Sequence, residues 1–176
     1  GTITVAQFNE LATKTSGIIT ATISDHDLAT LGAIAESVHA LTISITDEVV
    51  VAADLNTLDN RTTVTVNALE VTTITGSAAD VITTYNAQGS GITGLGNELI
   101  IITDPIISAS SLKILDTYTT GLVNASLTTT LIGTFAEILT INDAFTIGTL
   151  IGLGDENIIV AGALTIAQAN TINALT

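Results

Sequence analysis

The feature that most narrows the fold is internal self-similarity. Ala52-Ala53-Asp54-Leu55-Asn56-Thr57-Leu58-Asp59 returns in pattern as Ala109-Ser110-Ser111-Leu112-Lys113-Ile114-Leu115-Asp116, about 57 residues further on. The register continues downstream. Val66-Asn67-Ala68 falls on Val123-Asn124-Ala125, and Gly76-Ser77-Ala78-Ala79-Asp80 on Gly133-Thr134-Phe135-Ala136-Glu137. Gly94-Leu95-Gly96-Asn97-Glu98 falls on Gly152-Leu153-Gly154-Asp155-Glu156 with one inserted residue. A fixed period of this size marks a repeat architecture, in which each unit hides its apolar side on its neighbour. The opening of the series also returns at its close, because Gly1-Thr2-Ile3-Thr4-Val5-Ala6-Gln7 matches Gly162-Ala163-Leu164-Thr165-Ile166-Ala167-Gln168. The chain therefore reads as a single array over 1–176, with repeats at about 1–47, 48–104 and 105–161 and the start of a fourth at 162–176. The first copy is the shortest. Gly stands at position 1 in place of Met, so the expectation is a piece cut from a longer array.

Inside each repeat, short β-branched runs alternate with helical patterns. Strands are expected at 2–4, 18–23, 41–45, 64–68, 99–103, 122–126 and 157–161. Most are apolar at consecutive positions, as in Ile100-Ile101-Ile102, which suits strands buried on both faces of a parallel sheet. Thr4 with Gln7 and Thr165 with Gln168 form capping boxes that open helices, and Ser77 with Asp80 and Thr134 with Glu137 are acidic versions. Lys14 and Arg61 are placed in the last turns of their helices, and Gly17 and Gly121 serve as stops. Strand–helix alternation at spacings of roughly 22 and 35 residues calls for parallel strands with right-handed crossovers. The expected fold class is α/β, a right-handed solenoid of parallel strands and short helices. A parallel β-helix is the structural alternative, since Thr runs such as Thr128-Thr129-Thr130, here assigned to helices, favour strand.

Composition removes several function classes. Three basic residues stand against seventeen acidic ones, for a formal net charge of -14. Phosphate backbones and anionic membrane surfaces repel such a chain, so neither nucleic acid nor a membrane is an expected partner. No apolar run reaches the roughly 18 residues of a membrane span. Cys is absent, which removes disulfides, thiolate metal sites and a cysteine nucleophile. The chain is rich in Ile, Leu and Val, unlike a disordered acidic tail.

Few residues offer chemistry. His26 and His39 do not recur in the later copies, and Asp25-His26-Asp27 reads as a turn capping a helix that begins near Asp27. No Ser sits in a Gly-x-Ser-x-Gly elbow, and the glycine pairs near 89–96 and 152–154 read as turns before strands. The chain is expected to be no enzyme. Asp47, Glu48, Asp104, Asp155 and Glu156, at strand edges and turns, are the candidate ligands for calcium, the one cofactor considered. The competing reading is that these carboxylates keep an apolar surface soluble. Asn67 and Asn124 are assigned a structural role in satisfying turn backbone groups, and Leu55, Leu58, Leu112 and Leu115 are assigned to the core.

The segments 51–59, 66–68, 73–80 and 91–98 together resemble the long Thr/Ala-rich repeats of giant bacterial surface and secreted proteins, those of cyanobacteria above all. The likeness covers essentially the whole chain, with a departure between Asp25 and Asp47. It implies an extracellular or cell-surface location and a spacer, adhesive or matrix role, and it supplies no catalytic residue. Such repeats are often combined with calcium-binding or adhesin-like modules. The expected function is a structural module that builds a fibre, sheath or adhesin stalk by stacking, with like copies end to end as partners. The alternative is a calcium- or glycan-binding adhesin module.

Overall fold

Alternating β-branched runs and capped helices produce a mixed α/β chain with parallel strands in its sheets and seven helices among the described residues, which in the computed structural model are 1–175. The earlier elements are β1 (Thr2–Ile3), α1 (Val5–Ala12), β2 (Thr20–Ile23), α2 (Leu28–Leu31), β3 (Ala40–Thr42), β4 (Val49–Val51), α3 (Ala52–Asp59), β5 (Val66–Asn67), β6 (Thr73–Gly76), α4 (Ala78–Asn86) and β7 (Ile92–Thr93). They are followed by β8 (Leu99–Ile102), β9 (Ile106–Ser108), α5 (Ala109–Tyr118), β10 (Val123–Asn124), β11 (Thr130–Gly133), α6 (Phe135–Ile147), β12 (Leu150–Ile151), β13 (Asn157–Val160) and α7 (Ile166–Asn173).

Contacts divide the chain into two compact units. One is Gly1–Ile74 with Thr83–Leu95, and the other is Thr75–Ile82 with the described residues from Gly96 onward. In the first unit β1, β2 and β3 form a parallel ladder in chain order, with Thr2 opposite Thr22 and Thr22 opposite Thr42. β5 pairs parallel with β7. Its core holds Phe8, Leu31, Leu41, Leu55 and Leu58, all fully buried. In the second unit β10 lies between β8 and β12, and β11 lies between β9 and β13, again all parallel. Ile100, Leu112, Leu115 and Val123 are fully buried there. Each such side chain contributes roughly 1.5–3 kcal/mol relative to exposure.

Each 57-residue repeat contains two helices. Ala52 and Ala109 open α3 and α5 at matching positions, and Ala78 and Phe135 open or adjoin the first turns of α4 and α6 one segment later. The strands expected from sequence are present, with β1, β2, β5, β8, β10 and β13 falling inside the expected segments and β3 overlapping its segment at 41–42. β4, β6, β7, β9, β11 and β12 are additional. β4 and β9 were hidden because they run straight into helices: Val51 is the N-cap of α3 with no side-chain cap bond, and Ser108 ends β9 and caps α5.

Three local expectations are corrected. Thr128-Thr129-Thr130 lies in no helix and leads into β11, as its β-branched side chains favour. Lys14 and Arg61 lie just beyond the ends of α1 and α3, because both helices finish in a tight turn: the Lys14 amide bonds the Leu11 carbonyl and the Arg61 amide the Leu58 carbonyl. Gly121 is required by closeness rather than as a helix stop, because a Cβ there would strike the Glu98 carbonyl oxygen.

Candidate functional site

The recurrent chemistry lies along the seams between successive strand–helix segments. Threonine side chains bond the backbone of the preceding segment. In the first unit the Thr62 hydroxyl donates to the Leu41 carbonyl at 2.8 Å and accepts the Val64 amide at 3.1 Å. In the second, the Thr119 hydroxyl donates to the Glu98 carbonyl at 2.7 Å and accepts the Gly121 amide at 2.9 Å. The neighbouring threonines match too. Both the amide and the hydroxyl of Thr63 reach the His39 carbonyl, and those of Thr120 reach the Gly96 carbonyl. One further pair repeats: Thr72 doubles onto the Glu48 carbonyl, and Thr129 onto that of Pro105. A buried carbonyl lacking a partner costs free energy, so each Thr both satisfies a backbone group and locks the spacing between segments.

Carboxylates form a second seam. Asp25 accepts the Val5 amide at 2.6 Å, Asp47 the Leu28 amide at 2.7 Å and Asp104 the Ala78 amide at 2.6 Å. In each case the acceptor belongs to the segment after the helix whose first-turn amide it caps. Negative charge at the positive end of a helix is stabilising. Glu98 and Glu156, both buried, accept the amides of Gly96 and Gly154 through both carboxylate oxygens at 2.9–3.0 Å. Glu48 and Asp155 are exposed. Of the candidate calcium ligands, Asp47, Asp104 and Glu156 thus spend oxygens on backbone amides. No group of three His, Asp or Glu placed to hold one metal ion occurs among the described residues.

Glycines form the third seam. Gly94 (φ +97°) and Gly152 (φ +82°) approach the turns that follow β5 and β10, and a Cβ on either would lie 2.6 Å from the amide nitrogen of Leu69 or Ser126. Asn67 and Asn124 shape those turns. Their Oδ1 atoms accept the amides of Leu69 at 3.1 Å and Ser126 at 2.9 Å. Their bonds are local to each turn. Leu55, Leu58, Leu112 and Leu115 are fully buried.

His39 is buried. Its Nδ1 accepts the Ile19 amide at 3.0 Å, its Nε2 faces the Glu36 carboxylate at 3.2 Å, and its ring meets Phe8 edge-on. It fastens the end of one segment to the start of another. Asp27 caps α2 through the Thr30 amide at 2.8 Å, and bonds from the Thr30 hydroxyl and amide hold its carboxyl below the usual range. The Thr134 amide and hydroxyl do the same for Glu137. Burial raises Asp59, whose carboxylate lies where a Gly91 Cβ would be.

Set beside family models, curated proteins and solved structures, the chain matches none of them. The seams themselves are then the ground for a functional reading. Among the described residues, no helix is long and apolar enough to cross a membrane.

Proposed function

We propose that the chain is a structural repeat module of a large extracellular or cell-surface protein. It forms a right-handed α/β solenoid whose successive coils stack into a fibre, sheath or adhesin stalk. Its work is mechanical: length scales with the number of coils, and each coil presents its neighbour with the same rungs. The resemblance to the Thr/Ala-rich repeats of giant bacterial surface proteins supports the location. The reading gives the chain no catalytic role.

The observation that carries the proposal is the repetition of one contact. Thr62 on Leu41 and Thr119 on Glu98 use the same hydroxyl, the same carbonyl position and the same amide two residues on. A site evolved for one ligand has no need to recur at a fixed sequence interval, whereas a stacking joint does. Immunogold labelling of the source cells with antibody to this chain tests the reading. Label on surface fibres or sheath supports it, and label confined to the cytosol overturns it.

A further inference from the structure

One seam of the first unit is closed by an imidazole at a position where later seams use a hydroxyl. Parallel pairing places three residues alike. His39 precedes Ala40, whose amide bonds the Ile19 carbonyl at 2.9 Å. Thr62 precedes Thr63, whose amide bonds the His39 carbonyl, and Thr119 precedes Thr120, whose amide bonds the Gly96 carbonyl. All three side chains turn back onto the backbone of the earlier segment. His39 Nδ1 accepts the Ile19 amide at 3.0 Å, as the Thr62 hydroxyl accepts the Leu41 amide at 3.0 Å. A hydroxyl accepts and donates at once, with no change of charge between neutral pH and acid. An imidazole accepts at a ring nitrogen only while it is neutral. A backbone amide can only donate, so the Ile19 bond fixes the ring as neutral with its proton on Nε2. That proton is donated to the Glu36 carboxylate at 3.2 Å.

We propose that His39 is an acid-sensitive latch: the neutral ring holds the Ile19 amide, and the imidazolium releases it. A second proton, on Nδ1, sets N–H against N–H across 3.0 Å, so ring and amide must part. The ring is 1% exposed and meets Phe8 edge-on, and Ile19 is buried as well. Water therefore reaches the released amide only if the chain moves. The segment before Ile19 is free to do so, since residues 13–18 are all exposed and lie in neither helix nor strand. The charged groups around the ring are Glu36, facing Nε2, and Arg61, whose guanidinium donates to the adjoining Ala35 carbonyl at 3.2 Å. α1 meets the ring with Phe8, and Thr63 bonds the His39 carbonyl; neither side chain titrates. Glu36 accepts from Nε2 in both charge states, so acid removes the Ile19 bond alone. His26 is the internal contrast. It is exposed, and its Nδ1 donates to the Ser44 carbonyl at 2.9 Å, a bond that either charge state allows. The latch goes beyond a mechanical role, because it makes one joint of the series responsive to acidity near the range in which imidazoles change charge.

Nitrogen-15 NMR of the full chain from about pH 8 to about pH 5 is the test. At neutral pH the His39 ring is expected to show the Nε2–H tautomer. As the ring gains its second proton, the Ile19 amide is expected to lose about tenfold or more of its protection against hydrogen exchange, after correction for the pH dependence of free-chain exchange. The Leu41 amide, held by Thr62, is expected to keep its protection. His39→Gln supplies an oxygen that accepts a hydrogen bond and does not titrate, so Ile19 protection is expected to become independent of pH. Glu36→Gln asks whether acid acts through the carboxylate instead, and the opening is expected to persist in it. Circular dichroism checks that each variant is folded, and the wild-type tautomer and exchange decide the matter if one is not. An Nδ1–H tautomer at neutral pH, a ring still uncharged at about pH 5, or an Ile19 amide still protected beside a charged ring overturns the proposal. So does an acid response that survives in folded His39→Gln or vanishes in folded Glu36→Gln.

Discussion

The Thr119 hydroxyl donates to the Glu98 carbonyl across a seam between two successive segments, at 2.7 Å. Thr119 is 7% exposed, so neither atom has ready access to water as a substitute. Thr119→Val keeps the shape and deletes the bond, leaving the Glu98 carbonyl and the Gly121 amide without this partner. The expected loss is about 1–3 kcal/mol, read by urea denaturation. Thr62→Val is expected to cost a similar amount. A change within error at both positions would remove the Thr seam from the account.

Gly152 combines a left-handed backbone with close approach to Ser126. Gly152→Ala therefore carries both conformational strain and a clash. Gly89 has a comparable φ of +84° and open space around the added atom, so Gly89→Ala carries strain alone, about 1–2 kcal/mol. Thermal melts are expected to show Gly152→Ala clearly more destabilising than Gly89→Ala. Equal effects would mean that the approach of the two backbones is not tight.

The acid limb of stability has a definite sign. Glu137, held below its ordinary value of 4.5, contributes stability that is present above that value and lost as pH falls through its folded value. Glu137→Gln keeps a capping box of the kind Gln7 already makes. The melting temperature of wild type is expected to exceed that of the variant near neutrality, with the gap closing below pH 4.5.

Asp59 has the opposite sign. Burial raises it above 3.8, so its ionisation costs stability at neutral pH, and the cost fades as pH falls and the carboxyl is protonated. Asp59→Asn is expected to raise the melting temperature at neutral pH and to have less effect in acid. A variant less stable than wild type at neutral pH would contradict the burial argument.

Calcium separates the structural reading from the binding alternative. Asp47 and Asp104 each commit an oxygen to a helix amide, and Glu156 gives both to Gly154. Calorimetric titration is expected to show no saturable heat, and chelator no shift in melting. A shift of many degrees would favour the metal reading.

Much of the local chemistry was legible in the sequence because its signals lie three residues apart. The capping boxes at Thr4, Thr134 and Thr165 are of this kind, as is the Asp27 cap. The period was legible because Leu55 and Leu112 recur with their neighbours. The seams were not. Thr62 and Thr119 bond carbonyls, which every residue carries, so nothing in the sequence marks Leu41 or Glu98 as partner. Asp25, Asp47 and Asp104 likewise find amides 19 to 26 residues away. Gly94 and Gly152 read as turns, but their need for glycine comes from a distant backbone. The second helix in each repeat was visible as a pattern, while β4 and β9, the strands before the first helix of each, were masked by their direct run into α3 and α5.

Duplicating residues 105–161 in tandem and measuring the chain by small-angle X-ray scattering tests the central claim most directly. That segment carries two helices, so on the proposed solenoid reading it adds two coils, and neighbouring strands lie about 4.8 Å apart. The account predicts a longest dimension greater by about 10 Å at unchanged cross-section, and a higher melting temperature. Growth in all directions, or an insert that leaves the length unchanged and unfolds separately, would contradict it.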